Sequence, residues 1–175
     1  MVERVMIFID GSNFYHSLRK NFNTVKIDFE TFCSYLAGKN DLITIFYYTA
    51  PVHQKDDPAA YQSQQKFLAN LAKVKRLKIF LGRLEKRENG PMVEKGVDVK
   101  LVVDLMKNAF ENKFDKAILV SNDADFVPAI EEVQTLGKKV VNVSFPKTKS
   151  FHLSKTCDET ILITEIRSFV KENAH

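Results

Sequence analysis

Short apolar runs alternate with amphipathic stretches along this chain, and that alternation restricts the fold more than any other feature. The runs are VMIFI (Val5 to Ile9), LITIFYYTAP (Leu42 to Pro51), LKIFLGRLEKR (Leu77 to Arg87), KAILVS (Lys116 to Ser121) and KVVNVSF (Lys139 to Phe145). Between them lie segments that read as helices. SNFYHSLRKNF starts at Ser12, a plausible N-cap, and DFETFCSYLAG opens on Asp28 and closes on Gly38. A long segment begins at Pro58, another runs from Val97 to Lys113, and a third from Asp125 to Gly137. Glu88 to Met92 reads as a turn, and the tail from Ser154 is expected to end in a helix. Apolar strands that alternate with helices form a parallel sheet buried on both faces. Right-handed crossovers then give a three-layer α/β/α, doubly wound, mainly parallel sheet of about five strands, and the order 3-2-1-4-5 is the doubly wound arrangement that makes strands one and four neighbours. The 175 residues suit one domain, 1–175, with a C-terminal tail from 146 to 175.

Composition closes off several function classes. Hydrophobic residues make up 45% of the chain and charged ones 27%, so a packed core is expected rather than disorder. Cys33 and Cys157 stand alone, which argues against a disulfide framework or a zinc knuckle and for a cytoplasmic protein. The apolar run at LITIFYY is too short to span a bilayer, and no membrane association is expected. The N-terminal apolar run is too short for a signal peptide. Net charge is +4, a mild preference for a polyanionic partner. No oligomeric state is set, and a homodimer is admitted.

In doubly wound sheets, ligands bind beyond the carboxyl ends of the strands, where the strand order switches. Acids stand at those ends here. Strand one exits into Asp10 within FIDGSNF, and strand four into Asp123 and Asp125 within VSNDADF. On the helix from Val97, Leu101, Val102, Leu105 and Ala109 share one face, and Asp98 falls on it, directed at the sheet. Asp104 lies off that stripe, as a flanking acid or a solvated one. Taken singly, Asp10, Asp123 and Asp125 are explained as turn and cap residues, and Asp98 as an early-helix acid. Together they converge on one crevice, where mutual repulsion calls for a divalent cation with oxygen ligands. Asn13 and Ser121 beside them are suited to hold a water or a phosphate oxygen, and Lys95 to pair with Asp98 or contact a phosphate. FIDGSNF lacks the second acid of a D-x-D phosphatase, and Phe14 occupies the hydroxyl position of a D-x-S-x-S adhesion site. GSNFYH lacks the glycines of a dinucleotide fold.

FIDGSNF, KGVDVKLVVDL and LVSNDADFVPAI, in that order, resemble the NYN domain family, notably its LabA-like branch, within the PIN-like nuclease superfamily. The resemblance covers about residues 4 to 145 and is specific as a trio. It implies a ribonuclease using Mg²⁺ or Mn²⁺, with Asp10, Asp98 and Asp123 as metal-site acids and RNA as partner. It further implies Asp125 as a fourth catalytic acid or a neighbour of the ligands, with Asn13 assisting. PIN-type nucleases also draw an acid from the helical region after strand one, where Asp28 and Glu30 stand. The alternative is a non-catalytic RNA- or protein-binding adaptor that keeps the fold.

Basic residues cluster at Lys73 to Lys78, at Arg83, Lys86 and Arg87, and after strand five. In the last group Lys147, Lys149, His152 and Lys155 are placed to track a phosphate backbone, or form a solvated face. Tyr47, Tyr48 and Phe145 are either base-stacking rings or core.

Overall fold

The protein is described by a computed structural model over residues 1–86 and 92–170. Alternation of side chains along its central strand builds two cores at once. In β1 (Arg4–Asp10), Val5, Ile7 and Ile9 face one side and Met6 and Phe8 the other. All five are buried, so β1 needs cover on both faces. The first face is covered by α1 (Gly11–Phe22) and α2 (Phe29–Ala37), through Phe14, Leu18, Phe29 and Phe32. The second is covered by α4 (Val97–Phe110) and α5 (Val127–Thr135), through Leu101, Leu105, Ile130 and Val133. Each fully buried aliphatic or aromatic side chain contributes about 1.5–3 kcal/mol of transfer free energy.

The other sheet strands are β2 (Asp41–Thr49), β3 (Leu77–Leu81), β6 (Lys116–Val120), β7 (Lys139–Ser144) and β8 (Glu159–Leu162). They pair in parallel in the order β3-β2-β1-β6-β7-β8. The expected 3-2-1-4-5 order is therefore present, with one strand added at the edge. α3 (Pro58–Leu71) links β2 to β3. Among the described residues no helix is long and apolar enough to cross a membrane.

One expectation is corrected, and two lie in part outside the described residues. The third strand does not run on to Arg87. It leaves the sheet at Gly82, and Arg83–Lys86 (β4) pairs antiparallel with Met92–Lys95 (β5) instead. The break falls at a close approach that admits only glycine: a Cβ on Gly82 would meet Val97 Cγ2 at 2.5 Å and the Lys95 carbonyl oxygen at 2.9 Å. Of the turn expected at Glu88 to Met92, all but Met92 lies outside the described residues. The tail does not close on a helix within the described residues. It supplies the short helix α6 (Phe151–Thr156), then β8, then a 3-10 turn at Arg167–Phe169. Phe169 is buried edge-on against Phe32, 5.3 Å between ring centroids, so the tail seals the first core. Residues 171–175 lie outside the described residues.

An ion pair ties the start of β1 to the loop before β6. Arg4 donates from Nη2 to Asp115 Oδ1 at 2.7 Å and from Nε to Oδ2 at 3.1 Å. The Arg4 backbone N–H also donates to Oδ2, at 2.9 Å. The guanidinium, helped by that N–H, holds the Asp115 carboxyl at about 2. A folded pKa below the unfolded value near 3.8 contributes stability above that value, lost as pH falls towards 2. Both side chains are 40% exposed, so the contribution is below about 1 kcal/mol. Thermal melts of wild type and Asp115→Asn should differ at about pH 5, and the gap should narrow as pH falls to about 2. A gap as wide at about pH 2 as at about pH 5 would contradict this.

Candidate acidic cleft

The chain reverses its direction of travel across the sheet between β1 and β6, so the carboxyl ends of these neighbours open the crevice. A cleft of about 370 Å³ lies there, lined by Asp10, Ser12, Asn13, His16, Ser17, Asp98, Asn122, Asp123 and Thr148. Three of the four expected catalytic acids thus share one cavity, delivered by β1, α4 and the loop after β6.

Asp10 is 5% exposed and caps α1, where Ser12 was expected to do so. Its Oδ1 accepts from the Asn13 N–H at 3.1 Å, and its Oδ2 from the Ser121 hydroxyl at 3.0 Å. That hydroxyl in turn accepts from the Asp123 N–H at 3.1 Å. Asn13 Oδ1 accepts from the Asn122 backbone N–H at 3.1 Å and side-chain N–H at 2.9 Å. Asn122 Nδ2 also donates to Ser17 Oγ at 2.8 Å. Asn13 and Ser121 therefore lock the two strand exits together across the switch point. These bonds hold the Asp10 carboxyl in one orientation.

Asp98 is not directed at the sheet as the helical face suggested. It is exposed, while Val97 and Leu101 beside it are 2% and 0% exposed. Side chains in a helix tilt towards its N-terminus, and Asp98 stands in the first turn of α4. Its carboxyl there looks into the cleft and is raised above the ordinary value by partial desolvation, then by the charges of Asp123 and Asp125. Asp123 and Asp125 exchange their expected roles in part. Asp123 Oδ1 caps the 3-10 turn at Ala124–Phe126, accepting from the Asp125 N–H at 2.9 Å, while Asp125 is exposed outside the cleft lining.

Other expectations move away from the cleft. Lys95 does not pair with Asp98; its ammonium lies 3.3 Å from Glu85. Asp104 is neither solvated nor part of the cleft lining. It accepts from the buried Tyr48 hydroxyl at 2.9 Å and pairs with Lys100. Burial, with the Asp104 charge behind it, pushes the Tyr48 phenol upward. Tyr48→Phe is expected to cost about 1–2 kcal/mol, since it strips a hydrogen bond from a mostly buried carboxylate. The midpoint of a thermal melt should fall by roughly 2–8 °C, and an unchanged midpoint would contradict a structural role for Asp104. Asp28 caps α2, accepting from the Glu30 and Thr31 N–H groups, and Glu30 is exposed on that helix. Tyr47, Tyr48 and Phe145 are 4%, 0% and 1% exposed, and belong to the cores. The basic run Lys73 to Lys78 enters β3 from the opposite sheet edge. Lys147, Lys149, His152 and Lys155 are exposed around the segment that contributes Thr148 to the cleft.

Sequence reasoning missed His16, Ser17, Asn122 and Thr148, and took Ser12 only as a helix cap. His16 follows Asn13 by three residues and so shares its helical face, a signal open to the same wheel that placed Asp98.

The cleft tests well in donor type for a hard divalent cation. Its acids and amides offer oxygen, and among the described residues Asp98 and Asp123 make no ion pair. The carboxyl of Asp98 is raised by partial desolvation first and by the charges of Asp123 and Asp125 second, which a cation would offset. Spacing is looser: among the described residues no group of three or more His, Cys, Asp or Glu stands ready to hold a metal ion.

Comparison with known proteins bears on the same residues. The NYN domain matches residues 4–164, which extends past the expected limit at 145 to include β8. Over 174 residues the chain is 26% identical to the Low amplitude and bright protein LabA of Synechococcus elongatus, covering 97% of this chain and 88% of that one. A 76-residue stretch is 36% identical to an uncharacterised protein of Methanocaldococcus jannaschii, covering 43% of this chain and 32% of that protein. The crystal structure of a protein of unknown function from Vibrio parahaemolyticus has the same fold, with a TM-score of 0.77 at 24% identity and 96% of each chain covered.

Proposed function

We infer the function from one premise: the chain belongs to the NYN domain family, within the PIN-like nuclease superfamily. On that premise we propose a ribonuclease that hydrolyses RNA phosphodiester bonds with Mg²⁺ or Mn²⁺. The observation that carries this reading is the shared cleft of Asp10, Asp98 and Asp123 at the switch between β1 and β6. These three carboxylates would hold the ion, with Asp125 adding negative charge from just outside. Such an ion neutralises a phosphodiester and lowers the pKa of a bound water. The chain's own part is positional. Ser121 and the Asn13 N–H orient Asp10, Asn13 and Asn122 fix the two strand exits, and Ser12 and His16 line the wall a phosphate would face.

A non-catalytic RNA- or protein-binding module is the second reading. It is favoured by the engagement of both Asp10 oxygens within the chain and by the loose spacing of the acids. A cleavage assay separates the two. Single-stranded RNA should be cut with Mg²⁺ or Mn²⁺ and left intact with chelator; RNA that is bound but uncut in either metal would favour the binding module.

A further inference from the structure

Two exposed clusters beside the cleft repeat one arrangement. On α1, Tyr15 is followed by His16 and, four residues on, by Arg19; on α6, Phe151 is followed by His152 and, four residues on, by Lys155. In the first, Arg19 Cζ lies 5.9 Å from the Tyr15 ring centroid and the His16 ring meets Tyr15 edge-on, at 5.5 Å and 84°. In the second, Lys155 Nζ lies 5.7 Å from the Phe151 centroid and His152 meets the ring edge-on, at 6.1 Å and 79°. Both rings are open to solvent, 42% for Tyr15 and 70% for Phe151. An exposed Phe on a six-residue helix has no packing reason to be there, and the cores are built without either ring.

Each cluster borders the cleft through a neighbour that lines it. His16 lines it from α1, and Thr148, three residues before Phe151, lines it as well. Thr148 is joined to α1 by its hydroxyl, 3.2 Å from Ser17 Oγ, so the borders are held in fixed relation.

We propose that these matched clusters are two nucleotide-binding stations, each stacking one unpaired base of a single-stranded RNA on its ring while the cation and histidine meet the adjoining phosphates. This rests on the RNA reading above and adds to it the residues and the strandedness of the substrate. Cation–π contact with a ring face adds to binding at such sites, and stacking tolerates any base identity. A duplex keeps its bases paired and offers the rings nothing to stack.

The test is fluorescence anisotropy of the full chain with a labelled single-stranded RNA and the matching duplex, in chelator so that cleavage plays no part. Tyr15→Ala and Phe151→Ala should each weaken single-strand binding about tenfold, and the double variant about a hundredfold. Duplex affinity should stay unchanged, and Tyr15→Phe and Phe151→Trp should keep wild-type single-strand affinity. If wild type binds the single strand and the alanine variants bind it equally well, the stations are wrong and the RNA reading stands. If wild type binds neither RNA, both fall, and the rings belong to a protein-docking surface.

Discussion

Asp98→Asn and Asp123→Asn chains are expected to fold as wild type does and to lose RNA cleavage. Each substitution removes a charged oxygen donor from the cleft while preserving shape. An ion at such a site supplies several kcal/mol of transition-state stabilisation, so the rate constant should fall about a thousandfold or more. Stability should move the other way for Asp98→Asn. The wild-type carboxyl is desolvated in part and faces Asp123 and Asp125, so a neutral amide relieves repulsion in the metal-free protein. Because Asp98 is exposed, the gain is below about 1 kcal/mol. Single-turnover cleavage together with melts in chelator reads both effects. Two variants that cut as fast as wild type would remove these residues from the chemistry; two that melt early would make them structural.

The second large effect is expected at Gly11. Its place after Asp10 suggests a turn, yet it is the first residue of α1, and the need for glycine comes from a neighbouring strand. A Cβ there would stand 2.6 Å from Tyr47 Cζ and 2.6 Å from the Tyr48 backbone oxygen. Neither can yield readily. Tyr47 is 4% exposed and meets Phe29 and Phe67 edge-on, and Tyr48 pairs with Asp10 across β1 and β2. Gly11→Ala should therefore cost about 3 kcal/mol, the upper part of the overpacking range, and lower the melting midpoint by roughly 6–12 °C. It should also shift Asp10 against its bonds to Asn13 and Ser121, so cleavage should drop more than tenfold even where the chain is folded. Equal stability of Gly11→Ala and wild type would contradict the close approach.

How much was legible follows from what each residue depends on. Val5 to Ile9 and Lys116 to Ser121 were readable as buried strands because burial on both faces leaves an unbroken apolar run, and the alternation with helices pointed to a doubly wound sheet whose usual order places them side by side. β8 was not readable. Its four residues are exposed or half-buried at a sheet edge, and Glu159 and Thr160 dilute the apolar pattern. The break at Gly82 falls at a close approach to Val97, a neighbour in space rather than in sequence. The acids at the strand exits were legible because topology alone sends those ends to one place. The direction of Asp98 was not, because a helical wheel does not record the tilt of side chains towards the helix N-terminus. The rings show the same limit. Periodicity could not separate the buried Tyr47, Tyr48 and Phe145 from the exposed Tyr15 and Phe151, since either set fits an amphipathic element.

The central claim is that Asp10, Asp98 and Asp123 together hold a divalent ion. Diffraction at the manganese absorption edge from crystals grown with Mn²⁺ tests it most directly. An anomalous peak between the three carboxylates, absent from Asp98→Asn crystals grown in the same way, is the expected result. A cleft without anomalous density at saturating Mn²⁺, or a peak bound elsewhere on the chain, would contradict it.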